Sequence, residues 1–123
     1  MATERGLLGP VEVREIAARL NLIPTKRHGQ NFVIDPNTVR RIVRLADVTA
    51  ADTVLEIGPG IGSLTLGLLE TGATVQAIEL DERLAALLPE TAQQRIPERA
   101  SDLRVISGDA MHVELGAEQL GPT

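Results

Sequence analysis

The chain contains no cysteine, tryptophan or tyrosine, and Phe32 is the one aromatic residue among its 123. Without thiols there are no disulfides and no cysteine-ligated metal, and no metal site is expected. A single aromatic ring leaves little material for the stacking platforms on which single-strand nucleic-acid binders hold bases. No apolar run approaches the roughly 20 residues that cross a bilayer, and the N-terminus has no signal-type apolar segment, so a cytoplasmic setting without a membrane partner is expected. What is present, 43% apolar residues over 123, suits one soluble domain with an ordinary core.

The net charge of −5 hides an uneven distribution. Residues 1 to 46 carry eight basic residues (Arg5, Arg14, Arg19, Lys26, Arg27, Arg40, Arg41 and Arg44) against four acidic ones, a local +4, whereas the remainder carries four against thirteen, a local −9. A basic lead-in joined to an acidic body can hold an anionic polymer beside a site whose own ligand is not a polyanion; solvated surface is the alternative.

The pattern along the chain gives the elements. Residues 1 to 9 read as a flexible tail. Pro10 suits the start of a helix, and Val13, Ile16, Ala17 and Leu20 recur at helical spacing until Asn21 and Pro24 end it. Thr25 to Ile34 has no period and reads as a loop. Asp35 is a helix cap with Pro36 as first residue, followed by a buried stripe of Val39, Ile42, Val43 and Ala46, with Arg40, Arg41 and Arg44 on the other face. From Asp52 onward strands and helices alternate: strand Thr53 to Ile57, helix Ser63 to Glu70 stopped by Gly72, strand Thr74 to Ile78, helix Leu80 to Leu88 ended by Pro89, a polar stretch with room for another helical turn, and strand Leu103 to Ile106. The order βαβαβ implies a parallel sheet with right-handed crossovers.

The chain is organised around Val54-Leu55-Glu56-Ile57-Gly58-Pro59-Gly60-Ile61-Gly62-Ser63-Leu64-Thr65, a strand that breaks into alternating glycines and resumes as a helix. Such a turn lets backbone lie close against a ligand at the carboxyl edge of a parallel sheet. Three carboxylates follow the three strands to that edge: Glu56, Glu79 and Asp109. Glu79 lies 21 positions after Gly58, near the spacing at which an acid accepts hydrogen bonds from a ribose diol. A dinucleotide usually takes G-x-G-x-x-G, and here Ser63 stands where the third glycine belongs. A methyl donor such as S-adenosylmethionine carries no phosphate and a positive sulfonium and ammonium, which an acidic rim favours.

His28-Gly29-Gln30-Asn31-Phe32, the glycine segment from Glu56 to Thr65, Ala77-Ile78-Glu79-Leu80-Asp81 and Gly108-Asp109-Ala110 together resemble the ribosomal RNA adenine dimethyltransferase family, most closely its small-subunit members, over about residues 10 to 112. The resemblance implies a Rossmann-like α/β S-adenosylmethionine-dependent methyltransferase fold, here an incomplete N-terminal βαβαβ half with preceding helices. It implies a loop, Gln30, Asn31, Phe32 and Val33, closing over the S-adenosylmethionine pocket. Glu56, Gly58 and Gly60 would then lie around the methionine part, Glu79 on the ribose hydroxyls, Asp109 on the adenine amino group, and Leu80 and Ala110 as apolar walls of the ring. For His28, a solvated loop residue is the expectation.

The reaction implied is dimethylation of the exocyclic nitrogen of two adjacent adenosines near the 3′ end of small-subunit ribosomal RNA, with that RNA or the pre-30S particle as partner. That nitrogen is a poor nucleophile, so extraction and alignment of the base carry most of the catalysis. The family's Asn-Leu-Pro-Tyr-type tetrapeptide does not follow Asp109, and Asn21-Leu22-Ile23-Pro24 stands in the wrong context. No catalytic residue is therefore expected within the chain; the resemblance puts the catalytic residues beyond Thr123. The chain reads as a tail over 1–9, helices and cofactor-covering loop over 10–50, and a partial Rossmann-like domain over 51–123, inactive alone. Lys26, Arg27, Arg40, Arg41 and Arg44 are the candidate RNA contacts. The related large-subunit methyltransferases of the macrolide-resistance type, which usually carry another residue at the place of Pro59, are the alternative. A dinucleotide oxidoreductase and a catalytically silent RNA-binding or transcription-factor relative also stay open.

Overall fold

The computed structural model describes residues 6–21 and 35–112. Helices α1 (Pro10–Arg19) and α2 (Pro36–Leu45) precede strand β1 (Thr53–Ile57), helix α3 (Ser63–Glu70), strand β2 (Thr74–Glu79), helix α4 (Glu82–Arg95), a 3₁₀ helix (Pro97–Asp102) and strand β3 (Leu103–Ser107). The strands form one parallel sheet in the order β1-β2-β3, with Glu56 opposite Ala77 and Ala77 opposite Val105.

Local chemistry starts and stops these elements. Glu12, in the first turn of α1, accepts the Gly9 amide at 2.8 Å, and Asp35 caps α2 by accepting the Thr38 amide at 3.0 Å and the Thr38 hydroxyl at 2.7 Å. Glycine at 67 lets α2 settle onto α3, because a Cβ there would strike the Val39 side chain. The core joins Val13 and Ala17 of α1, Val39 and Val43 of α2, Leu66, Leu68 and Leu69 of α3, Val75 of β2, and Leu84 and Ala92 of α4.

Four expectations need correcting. Residues 6 to 9 are not a loose tail: Leu7 and Leu8 are buried in the core, and Gly6 donates its amide to the Arg95 carbonyl at 2.8 Å. Arg95 completes the clamp by donating to the carbonyls of Gly6 and Leu7 at 2.9 and 2.7 Å. The buried stripe of α2 narrows to Val39 and Val43, since Ile42 and Ala46 are exposed. Pro89 does not end α4, which runs on to Arg95. An interior proline costs a helix about 3 kcal/mol, and continuing the helix buries Leu88, Ala92 and Ile96, which offsets it. The polar stretch beyond Pro89 accordingly divides into the end of α4 and the 3₁₀ helix, and β2 and β3 each run one residue longer than their patterns suggest.

Along β1, Leu55 and Ile57 lie 43% and 58% exposed, on the sheet face opposite that of Glu56. No described helix is long and apolar enough to cross a membrane.

Candidate functional site

At the carboxyl edge of the sheet, β1 leads into the glycine turn and β2 into α4. The ladder continues one step beyond the strands on either side of β2, with the Gly58 amide donating to the Ile78 carbonyl at 2.8 Å and the Gly108 amide to the Glu79 carbonyl at 2.9 Å. Gly58 and Gly60 have φ of +69° and +61°, and a Cβ on either would meet nothing within 4 Å. These two glycines leave open room beside the backbone. Gly62 is different: its φ is +104°, and a Cβ there would run into Leu88 of α4. The third glycine serves helix packing.

Glu79 is 7% exposed at the end of β2. One of its oxygens accepts the Gly60 amide at 2.9 Å and the other the Asp81 amide at 2.9 Å, so one carboxylate fastens the glycine turn to the start of α4. Each oxygen keeps a further lone pair for a ligand hydroxyl. Asp81 in turn caps α4 by accepting the amides of Arg83 and Leu84. The Arg83 guanidinium at 3.1 Å holds its carboxyl below the usual range, and the same guanidinium donates to the Leu20 carbonyl at the end of α1 at 2.8 Å.

Glu56 is 9% exposed on β1 and accepts the Thr65 hydroxyl of α3 at 2.5 Å. Burial pushes its carboxyl up, the Thr65 hydroxyl pulls it back, and the neighbouring Glu79 charge raises it again.

Not every expected residue joins this cluster. Asp109 is exposed and closes a local turn by accepting the Met111 amide at 2.9 Å, with the His112 imidazole 3.7 Å from its other oxygen. Ala110 is exposed and Leu80 is 70% exposed. Gln30, Asn31, Phe32, Val33, Lys26 and Arg27 lie outside the described residues. So does Thr123. Arg40, Arg41 and Arg44 are exposed on α2, but Arg40 is engaged by Glu70 of α3 through two hydrogen bonds of 3.0 and 3.1 Å. Its charge is locally offset, which leaves Arg41 and Arg44 as the outward positive pair. Among the described residues no group of three or more His, Asp or Glu side chains is placed to hold a metal ion.

The partners Thr65, buried in α3, and Arg83, exposed at the start of α4, were not singled out by the sequence pattern. A hydroxyl inside the otherwise apolar run Leu64 to Leu69 was the available signal for Thr65. None existed for Arg83, whose partner Leu20 lies 63 residues away.

The ribosomal RNA adenine dimethylase profile matches residues 24–120 of the chain. The chain belongs to the ribosomal RNA adenine dimethylase family. Among relatives of this family, the ribosomal RNA small subunit methyltransferase A of Cutibacterium acnes is 59% identical over 118 residues, covering 94% of this chain and 40% of its own length. The chain therefore spans about 40% of the length of such curated relatives. Solved structures with the same architecture include the 23S rRNA methyltransferase ErmE (TM-score 0.58, 32% identity, 70% of this chain and 33% of that one). An RNA methyltransferase from Salinibacter ruber, in complex with S-adenosyl-L-homocysteine, aligns with a TM-score of 0.56 at 26% identity over 63% of this chain and 50% of that one. The Rossmann-like methyltransferase fold, represented here by its βαβαβ half, is thus shown.

Proposed function

We propose that the chain forms the S-adenosylmethionine-binding part of an enzyme that dimethylates the N6 nitrogen of two adjacent adenosines near the 3′ end of small-subunit ribosomal RNA. The observation that carries the reading is the bond from Gly60 to Glu79, which ties a glycine turn with open room to a buried carboxylate at ribose spacing. The donor set suits the group: two acids, Glu56 and Glu79, bonded to a hydroxyl and to backbone amides rather than to basic side chains, so a cationic nucleoside is favoured over a phosphate-bearing one.

In this reading Glu79 accepts the ribose hydroxyls, Gly58 and Gly60 let backbone approach the methionine part, and Glu56 faces its positive charge. Asp109 contacts the adenine amino group, and Leu80 and Ala110 flank the ring. Gln30, Asn31, Phe32 and Val33 cover the pocket. When bound, the cofactor supplies an electrophilic methyl group; these residues orient it and exclude water from it. The setting is cytoplasmic and the partner is small-subunit ribosomal RNA or its precursor particle. Arg41 and Arg44, with Lys26 and Arg27, contact phosphate, while Arg40 contributes less because of Glu70.

Thermal melting of the chain with S-adenosylhomocysteine and with NAD tests the cofactor. A rise with the first and none with the second is expected, and the reverse pattern would return the chain to the dinucleotide reading. In the complete enzyme, charge reversal of Arg41 and Arg44 is expected to lower RNA affinity and to flatten its salt dependence by about one unit of slope per lost phosphate contact. A large-subunit substrate is the second reading, favoured by the fold match to ErmE. Against it stands the 59% identity to a small-subunit enzyme. Methylation assays of the complete enzyme on the two ribosomal subunits separate them.

A further inference from the structure

Buried polar groups that the cofactor reading leaves without a task are few, and Thr65 is the one with a defined partner at the site. Its side chain is fully buried in α3, and its hydroxyl donates to one oxygen of Glu56 at 2.5 Å. The second oxygen of Glu56 accepts nothing among the described residues. A carboxylate on a strand has free torsions that let it turn away from a ligand; one fixed by a short hydroxyl bond from a packed helix does not. Thr65 has a steric anchor of its own, since α3 is buried around it at Leu66, Leu68 and Leu69.

We propose that Thr65 is a positioning residue for cofactor recognition: its hydroxyl holds one Glu56 oxygen so that the other is presented to the ammonium group of the cofactor's amino-acid portion. The assignment rests on the cofactor reading above. It explains why a hydroxyl stands in an otherwise apolar run, where a valine would bury no polar group in need of a partner. The hydroxyl bond also acts on the charge balance of Glu56: burial pushes the carboxyl up, the bond favours the ionised state against it, and Glu79, the one charge that acts on Glu56 among the described residues, raises it again. The ammonium of an arriving ligand adds to the hydroxyl's side of that balance.

The test compares Thr65→Val and Thr65→Ser in the chain, by calorimetric binding of S-adenosylhomocysteine and of 5′-methylthioadenosine, which keeps the nucleoside and lacks the amino-acid portion. Thr65→Val is expected to lose roughly tenfold to a hundredfold in affinity for S-adenosylhomocysteine, the range for a hydrogen bond to a charged group. Thr65→Ser is expected to recover most of it, and methylthioadenosine to bind both variants as it binds the wild type. The pH at which S-adenosylhomocysteine binding weakens on acidification is expected to move upward in Thr65→Val, because the bond favouring the charged carboxylate is gone. Carbon-13 titration of the Glu56 side chain in the ligand-free chain reads the same upward move without any ligand. Unchanged S-adenosylhomocysteine affinity and an unchanged Glu56 titration in Thr65→Val overturn the assignment, as does an equal loss for methylthioadenosine, which would mark a general collapse of the pocket. Failure of the wild type to bind either nucleoside overturns the cofactor reading and this assignment with it.

Discussion

The ends of β1 and β2 differ from the end of β3, although all three carry an acid at or just beyond the strand's carboxyl end. Glu56 and Glu79 are buried and bonded into the fold, one to a helix hydroxyl and one to two backbone amides. Asp109 is exposed and bonded within its own turn. The first two acids thus hold the glycine turn or the sheet edge together in addition to the ligand contacts proposed for them, whereas Asp109 is bonded only within its own turn. An acid at a strand end is the same signal in sequence and three different objects in space.

The largest effect expected from this contrast is at Glu79. Its replacement by alanine strips the Gly60 and Asp81 amides of their acceptor, at about 1–3 kcal/mol for each amide left unpaired. Glu79→Ala should both lower the melting temperature and lose at least a hundredfold in S-adenosylhomocysteine affinity by calorimetry. A variant that lost binding at unchanged stability would break the claim of dual duty.

Next comes the turn itself. Gly62→Ala combines a left-handed backbone with a collision against Leu88, together about 2–4 kcal/mol by urea unfolding. Gly60→Ala bears only the backbone cost, about 1–2 kcal/mol, while its new methyl group enters the open room and reduces cofactor affinity. Equal stability losses in the two would erase the distinction between packing and ligand glycines.

The pH response of Glu56 sharpens the comparison further. Its folded carboxyl titrates above the ordinary unfolded value, mainly through burial, so the folded chain holds this proton more tightly than the unfolded one. Its contribution to stability is therefore present at low pH and is lost as pH rises from the ordinary carboxylate range through the raised folded value. Glu56→Gln, which keeps an acceptor for Thr65, should be more stable than the wild type above that window and lose its advantage below it, as read by melting temperature against pH. The same variant should bind S-adenosylhomocysteine more weakly at neutral pH. The smallest effect belongs to Asp109→Ala, expected to stay within about 0.5–1 kcal/mol of wild-type stability, the range for an exposed turn bond. Its cofactor affinity should fall by roughly tenfold, one hydrogen bond to a charged group.

Much of this arrangement was legible along the chain. The Val13, Ala17 and Val39, Val43 stripes, the Asp35 cap and the three strands follow from local periodicity and local bonding, and the structure has them where those patterns point. What escaped were decisions made by distant packing. Pro89 is a helix breaker by local rule, but Leu88, Ala92 and Ile96 on either side of it need the helix to continue in order to reach the core. Residues 6 to 9 lack any period, and their order comes from Arg95, 88 positions beyond Leu7. Ile42 and Ala46 have helical spacing, but α3 meets only a narrow strip of α2, where Gly67 admits Val39.

For the candidate site the division is similar. The sequence by itself determined the parallel βαβαβ order, the glycine turn, the acids at the strand ends and the family to which they belong. These depend on residue type at short spacing, where side-chain alternation, capping and positive φ act within a few residues. Only the tertiary structure decided that Gly62 packs while Gly58 and Gly60 leave room, that Glu79 grips Gly60, and that Thr65 holds Glu56. Burial and the partners it demands are set by what other segments bring alongside, and a buried carboxylate must find its donor there because water is no longer available to supply one.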